Sequence, residues 1–211
     1  MASPALELEP VTTPLAPAAP PRAGAIILAR HGEPALSRKC LITSTQYRDW
    51  WAQYEVGGLR AGQTPPAALV DAAAGAGAIY ASTRPRAAET AAAVSAGREV
   101  MSDALFIEAP LPPPRFPSWI KLSPRWWGVV SRVWWHAFDH HDGQETRLQA
   151  EARAEQAAQV LICRAEEGQD VLVLAHGYFN HMVGRRLRAD GWRLVHNQGF
   201  KYWSQRRYEK A

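Results

Sequence analysis

Short apolar runs punctuate the chain, and each stops at a charged or polar residue. Ala25-Ile26-Ile27-Leu28-Ala29 ends at Arg30-His31-Gly32-Glu33, and Ala78-Ile79-Tyr80-Ala81 runs into Ser82-Thr83-Arg84. Ala104-Leu105-Phe106-Ile107 ends at Glu108, and Val171-Leu172-Val173-Leu174-Ala175 ends at His176-Gly177. Continuous apolar runs of this length, bounded by turn residues, read as strands buried on both faces. Between them the apolar spacing lengthens to a helical one. Ser44 is predicted to cap a helix carrying Tyr47, Trp50, Trp51 and Tyr54, closed by Gly57-Gly58. Thr64-Pro65-Pro66 opens a second helix through Leu69-Val70 to Gly75, and a third runs from Arg86 to Ser95. Residues 143–168 hold a long amphipathic helix with Leu148, Ala152, Ala158, Leu161 and Ile162 on one side. Another helix spans Tyr178 to Leu187, and residues 192–208 read as edge strands in which Phe200 and Tyr202 alternate against Lys201. Strands alternating with helices predict an α/β fold, a three-layer α/β/α sandwich around a mostly parallel central sheet.

Residues 109–142 break this rhythm. Prolines at 110, 112, 113, 114 and 117 precede Trp119, Trp126, Trp127, Trp134 and Trp135, five of the nine tryptophans. The segment reads as an inserted Pro/Trp-rich cap over the sheet edge, a lid or pocket wall, with a hydrophobic brace or dimer surface as the alternative. Residues 1–23 are rich in Pro and Ala and read as a flexible tail, leaving 24–211 as the folded domain. The tail lacks the basic start and apolar core of a signal peptide.

Composition narrows the function. The chain has 211 residues, 47% hydrophobic and 21% charged, which fits a globular domain with a sizeable core. A net charge of +4 without a Lys/Arg block suits a small anionic ligand and argues against nucleic acid. No apolar stretch is long enough to span a bilayer, so no membrane partner is expected. Cys40 and Cys163 are far apart in sequence and outside any C-x-x-C pair. They read as reduced thiols of a cytoplasmic protein rather than metal ligands or a disulfide.

In a parallel sheet the carboxyl ends of the strands share one edge, where ligands bind. That edge would gather Arg30, His31 and Gly32, then Arg86 at a helix start, then His176 and Gly177, with Glu108 at a fourth strand end. Two arginines fork onto phosphate oxygens, and a helix N-terminus adds free N–H groups. A histidine with one free ring nitrogen is a nucleophile near neutral pH, and a carboxylic acid can protonate a leaving oxygen. His140-His141-Asp142 reads as a solvated loop rather than a metal site.

Ala29-Arg30-His31-Gly32-Glu33 resembles the signature of the histidine phosphatase superfamily, also called phosphoglycerate mutase-like. Ser82-Thr83-Arg84-Pro85-Arg86-Ala87-Ala88-Glu89-Thr90-Ala91 and Val173-Leu174-Ala175-His176-Gly177 resemble its second and third motifs. The resemblance covers residues 25–190. It implies that His31 accepts the phosphoryl group, that Arg30 and Arg86 bind it with Gly32 and Gly177, and that His176 completes the pocket. Glu108 occupies the place of the family's general acid; Glu89, on a helix, is its rival. Arg84 is an extra arginine beside the second motif. The expected reaction is phosphomonoester hydrolysis with no metal or cofactor. A mutase-type phosphotransferase, a protein-phosphohistidine phosphatase and a non-catalytic phosphate-binding module are the alternatives. The glycine–tryptophan–glycine continuation of sugar-phosphate members is missing after Glu108, which weakens the mutase. A small phosphorylated substrate is expected; a phosphoprotein substrate and a homodimer stay open.

Overall fold

The computed structural model describes residues 22–211. Most of the expected tail, residues 1–21, lies outside the described residues. Ala23 already packs on the core, and the Gly24 N–H donates to the Ala165 carbonyl at 2.8 Å, so folded structure starts slightly before the first strand.

Six strands, β1 (Ile26–Arg30), β2 (Ala78–Ser82), β3 (Met101–Asp103), β4 (Val171–Ala175), β5 (Trp192–Asn197) and β6 (Gln205–Lys210), form one sheet. Its order is β3-β2-β4-β1-β6-β5. The β1–β4, β2–β4 and β2–β3 pairs are parallel, while β6 runs antiparallel to β1 and β5. The helices are α1 (Ser44–Val56), α2 (Ala67–Gly75), α3 (Pro85–Ser95), α4 (Pro124–Phe138), α5 (Arg147–Glu166) and α6 (Gly177–Ala189).

Strand alternation splits the core into two layers. Ile26 and Leu28 face α5 and α6 in a cluster with Ala154, Leu161, Phe179 and Val183. Ile27 and Ala29 face the other way, onto Leu69 and Ala73 of α2 and Ala91 and Val94 of α3. Burial on both faces explains why β1 and β4 are uninterrupted apolar runs. A third cluster lies apart from the sheet: Tyr47, Trp50 and Tyr54 of α1 pack on Trp127 of α4. The cap is thus built from two segments, residues 34–56 as well as 109–138, joined by the Ile42–Leu122 backbone bridge.

Four local readings need correction. The run Ala104–Ile107 is not a strand. β3 ends at Asp103, whose side chain accepts from the Leu105 N–H at 2.8 Å and opens a 3-10 turn over Ala104–Phe106. This local bond competes with the ladder, and Glu108 therefore follows a turn rather than a strand. Thr43, not Ser44, caps α1, in a capping box with Gln46. In α5 the buried stripe is Ala150, Ala154, Ala157, Ala158, Leu161, Ile162 and Ala165; Leu148 and Ala152 are exposed. Finally, β6 is interior rather than at an edge, and Phe200–Tyr202 belong to the turn before it.

Candidate functional site

β1, β4 and β2 are neighbours, so their carboxyl ends bring Arg30-His31, His176 and Ser82 together. His31 and His176 are buried, with ring centroids 5.2 Å apart in an edge-on arrangement. His31 Nδ1 lies 2.7 Å from the Gly32 carbonyl oxygen. A carbonyl only accepts, so Nδ1 carries the proton and Nε2 keeps its lone pair. His176 Nε2 lies 2.9 Å from Ser82 Oγ, and its Nδ1 lies 3.4 Å from Arg86 Nη2. An arginine only donates, which assigns the His176 proton to Nε2.

Arg86 enters from the first turn of α3 and is fully buried. Its Nη1 donates to the Tyr54 carbonyl at 2.8 Å, its Nη2 to Glu55 Oε1 at 2.8 Å, and its guanidinium lies 4.3 Å above the Tyr54 ring. Arg30 donates through Nη1 to the Phe200 carbonyl and stacks 4.3 Å over Tyr202. The Nε donors of Arg30 and Arg86 are buried and have no acceptor among the described residues. Buried donors of this kind ordinarily find a partner, and two of them beside one histidine pair suit an anion. Burial, reinforced by Arg30 and Arg86, pushes the His31 imidazole well below its usual range; the hydrogen bond to Gly32 opposes this. Burial, then Arg86 and His31, depress His176 in the same way. Both rings are therefore neutral at pH 7.

Glu108 reaches the region from the loop after the 3-10 turn. Its carboxylate accepts from the Phe179 N–H at 2.9 Å and the Tyr178 N–H at 3.3 Å, at the start of α6 just past His176. It lines a cleft of about 640 Å³ with Trp51, Glu55, Arg84 and Pro110. Glu89 is engaged elsewhere, accepting from the Leu59 N–H at 2.6 Å.

Gly177 begins α6 against Arg30: a Cβ there would come within 3.3 Å of Arg30 Nε. Gly32 sits just past the end of β1, against Trp203. The Trp203 indole lies where its Cβ would be, 2.4 Å from Cζ2. The Gly32 N–H donates to Thr90 Oγ1 at 2.9 Å, and Trp203 Nε1 donates to Gln63 Oε1 at 2.9 Å.

Sequence reasoning missed Glu55, Trp203 and Gln63. Glu55 Oε2 also holds Arg84 Nε at 2.7 Å, which accounts for the extra arginine. Its only local signal is a carboxylate four residues after Trp51 in an aromatic helix.

A family model for the histidine phosphatase superfamily, branch 1, matches residues 26–202. The chain belongs to that superfamily. Solved structures share the histidine phosphatase fold at low identity. A Mycobacterium tuberculosis open-reading-frame protein is 20% identical, covering 87% of this chain and 90% of its own, with a TM-score of 0.51. Mycobacterial glucosyl-3-phosphoglycerate phosphatase, in a complex with VO3, is 20% identical over 78% of this chain and 82% of its own, with a TM-score of 0.52. Entamoeba histolytica phosphoserine phosphatase, in complex with phosphoserine, is 16% identical over 79% and 80%, with a TM-score of 0.51. No curated protein matches the chain. The three motif-like stretches, from Ala29 to Gly177, lie inside the matched range.

Proposed function

We propose that this histidine phosphatase hydrolyses a small phosphomonoester through a phosphohistidine on His31. The observation that carries the reading is the tautomer of His31. Its Nδ1–H is held by the Gly32 carbonyl, and its neutral Nε2 is left beside His176 and two arginines. Nε2 attacks phosphorus, and the bond from phosphorus to the leaving oxygen breaks. That oxygen takes a proton from the Glu108 carboxylic acid. The Glu108 carboxylate then takes a proton from water, whose oxygen attacks phosphorus as the N–P bond breaks and returns its electrons to Nε2. Arg30 and Arg86, through their unengaged Nε donors, and His176 offset the charge on the transferring group. Gly177 and the α6 N-terminus border the same point.

Fold neighbours named for phosphatase activity favour hydrolysis over mutase transfer. Cys40 and Cys163 are free and exposed, which suits a cytoplasmic location. The test is His31→Ala with an aryl phosphate, together with acid-quench trapping of labelled phosphate. The variant is expected to lose at least about 10³-fold in kcat and to trap no phosphoenzyme. Full activity in His31→Ala overturns the reading. A wild-type protein that binds phosphate without turning over any ester is a binding module instead.

A further inference from the structure

Helix α4 has two apolar faces, and the core uses one of them. Pro124, Trp127, Ser131 and Trp135, spaced by three and four residues, are buried against the protein. Trp126, Val129, Val133 and Ala137 repeat the same spacing on the opposite side and are exposed, Trp126 at 60%. A surface helix ordinarily turns polar residues outward; one that is apolar on both sides fits a second apolar environment. The cap adds Trp119, which is 79% exposed, and Leu41, next to the Ile42–Leu122 bridge. Charge here is equally one-sided. Residues 109–138 contain no Asp or Glu, the exposed Asp139 and Asp142 coming only after the end of α4, whereas Arg115, Lys121 and Arg125 are exposed. Arg125 and Trp126 line a groove of about 860 Å³ with Arg38, Lys39 and Lys201; it opens onto Arg30 and Tyr202 of the candidate site, and no carboxylate lines it.

We infer that this face of the cap docks on an anionic lipid surface. Trp119, Trp126, Val129 and Val133 enter the boundary between headgroups and acyl chains, and Lys39, Lys121, Arg125 and Lys201 meet the headgroup charge. Tryptophan prefers that boundary, and an amphipathic helix lying in its plane is held by apolar burial plus attraction of Lys and Arg to anionic lipid. A second copy of the chain fits less well. A two-fold contact sets a patch against itself, which would bring these cations together with no acidic residue of 109–138 to offset them. The expectation of no membrane partner rested on the lack of a spanning segment, and indeed no described helix is long and apolar enough to cross a bilayer. Docking in the interface requires none.

Co-sedimentation of the full chain with phosphatidylcholine vesicles, with and without roughly 30% phosphatidylserine, tests this. About tenfold more protein is expected on the anionic vesicles, with most released by roughly 0.5 M salt. Trp119→Ser combined with Val133→Ser, both at exposed positions, is expected to cut binding about tenfold while leaving soluble aryl phosphate turnover and circular dichroism unchanged. Lys121→Glu with Arg115→Glu should weaken binding to anionic vesicles alone. Absence of wild-type binding, equal binding to neutral vesicles, or variants that bind as well as wild type overturns the proposal. So does a dimer in sedimentation velocity that the Trp119→Ser/Val133→Ser protein fails to form, which would assign the face to self-association.

Discussion

Glu108 and Glu55 enter one cleft from different elements, and the proposed chemistry needs a proton from one of them. Glu55 is already bound to Arg84 and Arg86, an arrangement suited to holding arginines in place. Glu108 is held by two backbone N–H groups beside His176. Glu108→Gln is therefore expected to lower kcat on alkyl phosphates by about 10²–10⁴-fold. The loss should be much smaller with p-nitrophenyl phosphate, whose leaving group needs no proton. Glu55→Gln should show no such dependence on the leaving group. The buried histidines give a second prediction. Their folded pKa values are depressed chiefly by burial, while the unfolded chain protonates near 6.5. Below that value the unfolded state binds more protons, so their contribution is complete above it and is lost as pH falls towards the folded values. Two such groups steepen the loss towards a limiting slope of two protons, roughly 3 kcal/mol per pH unit. Urea midpoints between pH 7 and 5 measure it, and His176→Gln should remove about one proton of slope. His31, Arg30, Arg86 and His176 were legible because each adjoins a strand or helix start in its own motif. Glu55 was not, because its partner Arg86 is 31 residues away and its own helix reads as aromatic packing.

At the scale of elements, the turn over residues 198–204 grips the loop that carries His31. The Arg30 N–H donates to the Ser204 carbonyl at 2.8 Å, the Trp203 N–H to the His31 carbonyl at 3.3 Å, and Tyr202 lies 5.7 Å from the His31 ring. Trp203 adopts φ 61°, a left-handed conformation that is costly for a bulky residue and persists because its surroundings hold it. Gly32→Ala would drive a methyl group into that indole. A destabilisation of about 1–3 kcal/mol and loss of turnover are expected. Adding Trp203→Ala to Gly32→Ala should cost less than the sum of the single changes in a thermal-denaturation cycle. The resemblance implied Gly32 as part of the phosphoryl site, and the pattern presented residues 200–202 as part of a strand. Alternation over three residues cannot distinguish a strand from a turn whose side chains point at different neighbours.

Across the whole molecule, stability and chemistry sit at opposite edges of the sheet. Asp170, just before β4, accepts from the Ala25 N–H at 2.7 Å and from Arg207 Nη1 at 2.8 Å, tying the starts of β4 and β1 to β6. Asp170→Ala leaves both donors without this acceptor, at a cost of about 1–3 kcal/mol. A fall in Tm of about 3–10 °C is expected, with KM for an aryl phosphate unchanged because His31 lies at the far strand ends. The cap is likewise a property of the whole chain. Tyr47, Trp50 and Tyr54 of one cap segment pack on Trp127 of the other.

The sequence alone determined the layered α/β architecture and the three motifs at strand ends. Those features are written within a few neighbouring residues, as apolar runs, turn glycines and the charges that end them. Tertiary structure decided the rest: that β6 lies inside the sheet, that Glu55 holds Arg86, that Trp203 fills the space over Gly32, and that one face of α4 stays uncovered. The first three are encounters between segments distant in the chain and the last is a face that none of them reaches; their energies come from packing and pairing that no local period records.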